Sequence, residues 1–215
     1  MRDVVFYTTM SSFLLDAVQV KRTMVYIGPM RARKSYELLV DASKYTPADY
    51  HAFRHAFDTR WTSGVIQSRD ASVDPIACHH VPKLLPAVRK AFAFSRASRL
   101  YIDDLHFFDL NDIAATFRFC AVTGITVIAA GIELQVDSGS QFPYVSLPST
   151  LIRMAAAKCH VCGAPACADV LTAQATGKTH FRLTQDLVGD VQWEGRCKQC
   201  YKEWHDKYGF PTLVS

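Results

Sequence analysis

No stretch of this chain is long and apolar enough to span a bilayer. The longest candidate, residues 125–132, has the length of a buried strand. Charge of one sign is also scarce. Lys and Arg total 24 against 20 Asp and Glu, and the resulting +4 is too mild to mark a nucleic-acid-binding surface. Internal repeats and low-complexity tracts are missing, which excludes solenoids and linker arrays. A secretory leader is not expected either: Phe13-Leu14-Leu15 is flanked by Asp3 and Asp16, and no A-x-A site follows. The seven cysteines are an odd number, so the expectation is a reducing, cytoplasmic setting rather than a disulfide framework. What the chain does have is 49% hydrophobic residues over 215 positions, enough for a medium-sized domain with a substantial core.

Residues 23–35, Thr23-Met24-Val25-Tyr26-Ile27-Gly28-Pro29-Met30-Arg31-Ala32-Arg33-Lys34-Ser35, read as a short apolar strand, a loop, and Lys-Ser opening a helical run over 36–45. That is the layout of a phosphate-binding loop, G-x-x-x-x-G-K-[ST], with Arg33 in place of the second glycine. The loop works by curling backbone N–H groups around phosphate oxygens, which glycine permits and a side chain resists. Lys34 and Ser35 are the residues that reach the β- and γ-phosphates and Mg²⁺. An ordinary strand-turn-helix with a basic loop is the alternative reading of this stretch taken alone.

Four of the cysteines form two C-x-x-C pairs, Cys159/Cys162 and Cys197/Cys200. Two such knuckles allow four thiolates to converge tetrahedrally on Zn²⁺. The 34 residues between the pairs must then hold a hairpin or flap. His160 and Cys167 are expected to be bystanders. No water-activating carboxylate accompanies the cysteines, so the zinc is expected to be structural.

Between these motifs, strand and helix alternate. Residues 49–57, 99–102 and 124–130 read as strands; 83–94 and 110–122 have helical spacing. The expected fold is α/β, a P-loop-type parallel sheet with helices on both faces, followed by a small C-terminal zinc-binding lobe. Three regions are expected: an extension over 1–22, the nucleotide-binding domain over 23–150, and a zinc-ribbon-like lobe over 151–215. The ligand site belongs at the carboxyl ends of the strands, where the 28–35 loop and Asp103-Asp104 both fall. A strand ending in Asp beside a phosphate loop is the Walker B arrangement, with the aspartate on Mg²⁺.

The chain resembles the type II, or cellular-type, thymidine kinases. Gly28-Pro29-Met30 and Lys34-Ser35 match their loop G-P-M-F-S-G-K-S. Asp58-Thr59-Arg60-Trp61 matches D-T-R-Y. Ile102-Asp103-Asp104-Leu105-His106-Phe107-Phe108 matches I-D-E-x-Q-F-F, and Val127-Ile128-Ala129-Ala130 matches the following strand. The paired cysteines complete the series, so the likeness runs in order from Thr23 to Tyr201.

The resemblance implies transfer of the ATP γ-phosphoryl group to the 5′-hydroxyl of thymidine. Gly28, Pro29, Met30, Arg31, Ala32, Arg33, Lys34 and Ser35 would form the ATP site, with Ser35 and Asp103 on Mg²⁺ and Asp58 assisting. Asp104 stands where the family has its general base, and Arg60 would stabilise charge on the transferring group. Met30, Phe107, Gly189 and Trp193 would line the nucleoside pocket. The same resemblance implies a deoxynucleoside as small-molecule partner and homo-oligomerisation as a tetramer; the lack of a spanning apolar run and the scattered basic residues make neither a membrane nor a nucleic-acid partner expected.

This sequence departs from the family at five places. Arg33 replaces glycine, at a cost of roughly 1–2 kcal/mol if its φ is positive. Its side chain would either occupy phosphate space or donate to a phosphate. Asp104 is one methylene shorter than the family's glutamate. His106 replaces glutamine, Trp193 replaces tyrosine, and residues 133–148 lack the family's phenylalanine-glutamine-arginine core. A weakened descendant that binds nucleotide or a partner is therefore the alternative function, and a zinc-ribbon nucleic-acid binder a third.

Overall fold

The computed structural model describes residues 14–17, 22–58, 64–135, 138–154, 157–176, 180–182 and 193–214. Strand β1 (Thr23–Ile27) leads through the glycine-led loop into helix α1 (Lys34–Ala42) and strand β2 (Tyr50–His55). Short strands β3 (Val65–Ile66), β4 (Ile76–Ala77) and β5 (His79–Val81) precede helix α2 (Leu84–Phe92). Strand β6 (Arg99–Ile102), helix α3 (Leu110–Thr123), strand β7 (Thr126–Gly131) and strand β8 (Thr150–Arg153) follow. The C-terminal part holds β9 (Ala168–Leu171), β10 (His180–Arg182), β11 (Trp193–Arg196), helix α4 (Lys198–Tyr208) and β12 (Thr212–Val214).

Six strands form one sheet in the order β5-β2-β6-β7-β1-β8, and every pairing in it is parallel. Parallel strands need crossovers, and those crossovers cover both faces with helix, so the strands are apolar on both sides. Alternation along the strands sorts the core into two layers. Val25, Ile27, Leu100, Ile102, Val127 and Ala129 pack with α2 and α3 through Leu84, Val88, Ile113, Phe117 and Cys120. Tyr101, Ile128, Ala130 and Ala52 face the other way and pack with Leu38, Leu39 and Ala42 of α1. The α/β architecture expected from the sequence is the one found.

Side chains set the helix ends. Asp109 caps α3 by accepting the N–H groups of Asn111 (2.9 Å) and Asp112 (3.2 Å), and Gly124 ends it at φ 78°. Asp112, one turn into α3, accepts the N–H groups of Leu84 and Leu85, so one helix caps its neighbour. Helix α1 starts two residues earlier than its apolar spacing suggests, because Arg33 at φ 64° turns the chain directly into Lys34. Its far end is tied to β6: Asp41 accepts from Arg99 at 2.7 Å and from the Tyr101 hydroxyl at 2.8 Å. The expected strand over 49–57 is shorter, Tyr50–His55, since Ala56 and Phe57 turn to bring Asp58 back toward His55. The β3–β4 hairpin and β5 had no clear signature in the sequence.

Beyond the sheet, β9 and β11 pair antiparallel with Asp169 opposite Gly195. Of the hairpin or flap expected between the two cysteine pairs, this antiparallel pair is the hairpin. Strand β11 leads straight into Cys197, and α4 follows.

Candidate active site and zinc centre

The carboxyl ends of β1 and β6 deliver the loop and the acidic pair to one place. At Gly28 a Cβ would lie 2.7 Å from the Met154 carbonyl oxygen, so no other residue fits beside β8's exit. The loop then takes left-handed conformations at Arg31 (φ 62°) and Arg33 (φ 64°). Arg33 thus adopts the backbone shape that the absent glycine would supply. Its guanidinium is directed away from the loop: it pairs with Asp70 at 2.8 Å and lies 4.0 Å over the Tyr36 ring. Ala32 is fully buried against Ala157 and Ala166. Pro29 gives its carbonyl to the Lys34 ammonium at 2.6 Å.

Ser35 and Asp103 meet directly, the Ser35 hydroxyl donating to Asp103 Oδ1 at 2.9 Å. The same oxygen accepts the Asp104 N–H at 3.1 Å, fixing the Asp103 carboxylate at the strand end. Asp104 is itself left-handed at φ 50°, a conformation that aspartate tolerates better than most residues. Both acids are buried. A cleft of about 410 Å³ opens here, lined by Met30, Arg31, Arg33, Lys34, Ser35, Tyr36, Asp103 and Asp104, and by Gln67, Ser68, Arg69 and Asp70 from beyond β3. Arg31, Arg33, Lys34 and Arg69 outnumber the three carboxylates of Asp70, Asp103 and Asp104 in this lining, which favours an anion.

Other expected residues lie around this cleft rather than in it. Asp58 is buried and paired with Arg54 at 3.6 Å, and its carbonyl accepts from Arg54 at 3.0 Å. Phe107 ends the single 3₁₀ turn after Asp104, among the rings of His106 and His55. Trp193 is 8% exposed and packs with Leu171 and Met30, forming an apolar wall beside the loop. Arg60 and Gly189 lie outside the described residues.

The four cysteine sulfurs of Cys159, Cys162, Cys197 and Cys200 all lie within 4.8 Å of one another. Cys162 and Cys197 sulfurs are 3.6 Å apart, and Cys162 and Cys200 3.8 Å. Tetrahedral Zn–S bonds of about 2.3 Å place sulfurs about 3.8 Å apart, so the cluster has the size that zinc requires. Burial opposes ionisation of Cys159, yet the N–H groups of Cys197, Cys162 and Val161 outweigh it and bring the thiol down to about 6. Cys167 and His160 stand apart from the cluster, and His160 faces Glu194 at 3.5 Å instead.

A family model for thymidine kinase matches residues 21–201. The chain belongs to the thymidine kinase family. The match takes in the 28–35 loop, the acidic pair and both cysteine knuckles of this family member. Its function is accordingly of the nucleoside kinase type.

Three residues in or near this region escaped the sequence reading. Asp70 takes up the Arg33 side chain; with its neighbours 67–69 it follows the short β3, which gives no periodic signal. Tyr144 is buried beside β7 and donates to the Ile132 carbonyl; burial pushes its hydroxyl well up, with Asp104 and Glu133 adding to the effect. Asp169 accepts the Met30 N–H at 2.7 Å. Burial raises its carboxyl to about 6, against the downward pull of Lys34, the Met30 N–H and Arg31. An isolated aspartate inside the apolar run Ala168-Asp169-Val170-Leu171 was the available clue.

Proposed function

We propose that this thymidine kinase family member transfers the γ-phosphoryl group of ATP to the 5′-hydroxyl of thymidine, making dTMP for pyrimidine salvage. The observation that carries the reading is the direct Ser35–Asp103 bond at the mouth of the cleft, with Lys34 and Asp104 beside it. Hydroxyl, fixed carboxylate, ammonium and a second carboxylate are the groups that phosphoryl transfer needs in one place.

In this mechanism the 28–35 loop seats the triphosphate, and Lys34 exchanges the Pro29 carbonyl for phosphate oxygens. Ser35 and Asp103 would hold Mg²⁺, which when bound neutralises charge on the β- and γ-phosphates. The Asp104 carboxylate accepts the 5′-hydroxyl proton as the O5′–P bond forms and the bond to the β-phosphate oxygen breaks, releasing ADP. Arg60 offsets charge on the transferring group. Met30 and Trp193 supply the apolar wall for the base, with Phe107 and Gly189 as further pocket residues. Asp58 acts from outside the cleft, through its pairing with Arg54. The four cysteines would hold a structural zinc.

A panel of deoxynucleosides incubated with labelled ATP and Mg²⁺ tests the reading, with thymidine turning over fastest. ATP binding with no turnover on any nucleoside would transfer the case to the weakened-descendant reading.

A further inference from the structure

Asp169 is a buried carboxylate that the phosphoryl-transfer mechanism leaves unused. It sits in β9, all four residues of which are buried. A carboxylate in such a strand is costly unless its oxygens find donors. Its Oδ1 is buried with no hydrogen-bond partner among the described residues. Its Oδ2 finds one 139 positions away, in the Met30 N–H.

Met30 opens the tightest part of the phosphate loop. Two of the next three residues, Arg31 and Arg33, are left-handed without being glycine. Strained backbone of this kind persists only where the surroundings over-determine it. Gly28 is wedged against Met154, and Ala32 is packed in a cluster of alanines. Arg33 is drawn out to Asp70 and Tyr36. Met30 is gripped from the zinc side, its backbone by Asp169 and its side chain by Leu171 and Trp193. Lys34 and Arg31 also lower the cost of a buried charge here.

We infer that Asp169 is a positioning residue: by accepting the Met30 N–H it holds the phosphate loop in its anion-binding curl from the hairpin of the zinc lobe. This rests on the reading of residues 28–35 as the triphosphate site. Asp169 acts through the Met30 backbone.

Titration with a fluorescent ATP analogue tests the inference in wild type, Asp169→Asn, Asp169→Ala and Asp169→Leu, with zinc content and melting temperature checked on each. Asparagine keeps an acceptor oxygen for Met30, so Asp169→Asn should bind within about threefold of wild type. Alanine and leucine lose the acceptor, so both should bind about tenfold more weakly. Leucine also fills the space, so it reports even if the alanine variant does not fold. Hydrogen exchange at the Met30 amide should quicken in the leucine variant and not in the asparagine variant. Wild-type binding by Asp169→Leu, or an asparagine variant as weak as the leucine one, would overturn the inference. Wild type failing to bind the analogue would refute the phosphate-loop reading instead. The Met30 exchange rates would then judge the tether alone, and no change in Asp169→Leu would sink it.

Discussion

Replacing Arg33 by glycine tests whether the missing loop glycine is a defect. At φ 64°, Arg33 pays the left-handed cost of roughly 1–2 kcal/mol, which glycine would remove. Glycine brings its own loss, about 0.5–1 kcal/mol from the freer unfolded chain. Removing the guanidinium from over Tyr36 costs about 0.5–1 kcal/mol more. The ion pair to Asp70 is solvent-exposed and screened, so its loss adds little. These contributions nearly cancel, and the melting temperature should move by no more than about 4 °C in either direction. ATP binding should not improve, because the side chain is already drawn out of the loop. Loss of one of the four cations on the cleft wall should instead weaken binding about two- to fivefold. Calorimetric melting and equilibrium titration with an ATP analogue read the two effects. Tenfold tighter binding in Arg33→Gly would show that the side chain does occupy phosphate space, and the argument from its Asp70 and Tyr36 contacts would fail.

Purified protein should carry about one Zn²⁺ per chain, and chelation should lower its melting temperature; zinc-free protein from a chelator-free preparation would refute this. Lys34→Ala and Asp103→Ala should each abolish phosphoryl transfer while leaving the fold intact by circular dichroism, and undiminished turnover in Lys34→Ala would displace the phosphate loop from residues 28–35. Asp104→Glu tests reach: if Asp104 is the base and the site has adapted to its short side chain and left-handed backbone, kcat should fall, whereas a rise would mean the aspartate is too short. The pH dependence of stability has a definite sign at Asp169, whose folded carboxyl is raised from 3.8 to about 6. The native state therefore binds this proton more tightly than the unfolded state does. Its contribution is fully present below pH 3.8 and is lost as pH rises through about 6, a change of about 3 kcal/mol. Asp169→Asn should abolish that decline between pH 4 and 7 in denaturant titrations, and an unchanged slope would count against it.

The sheet was legible because its strands are buried on both faces and bounded by breakers: Val25 to Gly28 and Ile102 to Asp103 announce both a strand and where its ligand end lies. The cysteine centre was legible from spacing alone. What spacing could not reveal was how side chains far apart in sequence complete the site. The left-handed turns at Arg31, Arg33 and Asp104 occur at residues that carry no glycine signal; those in the loop are flanked by contacts with Asp70, Tyr36 and Asp169, and that at Asp104 by its N–H bond to Asp103. Asp58 pairs with Arg54, a fully buried arginine four positions earlier on β2. Pairings of that sort depend on tertiary packing and leave no periodic trace.

Helix α1 is fastened to β6 at both ends, through Ser35 to Asp103 at one and Asp41 to Arg99 and Tyr101 at the other. A bar bolted at two points cannot pivot. The loop's anchor helix and the acidic strand therefore form a fixed jaw, whose separation is set by the four-residue length of β6 rather than by what is bound. Any widening of the cleft therefore falls to its other lining segment, residues 67–70, which the exposed Arg33–Asp70 pair joins to the loop. Damage at Arg99, at the far end of the strand from the cleft, would leave that bolt resting on the Tyr101 hydroxyl alone.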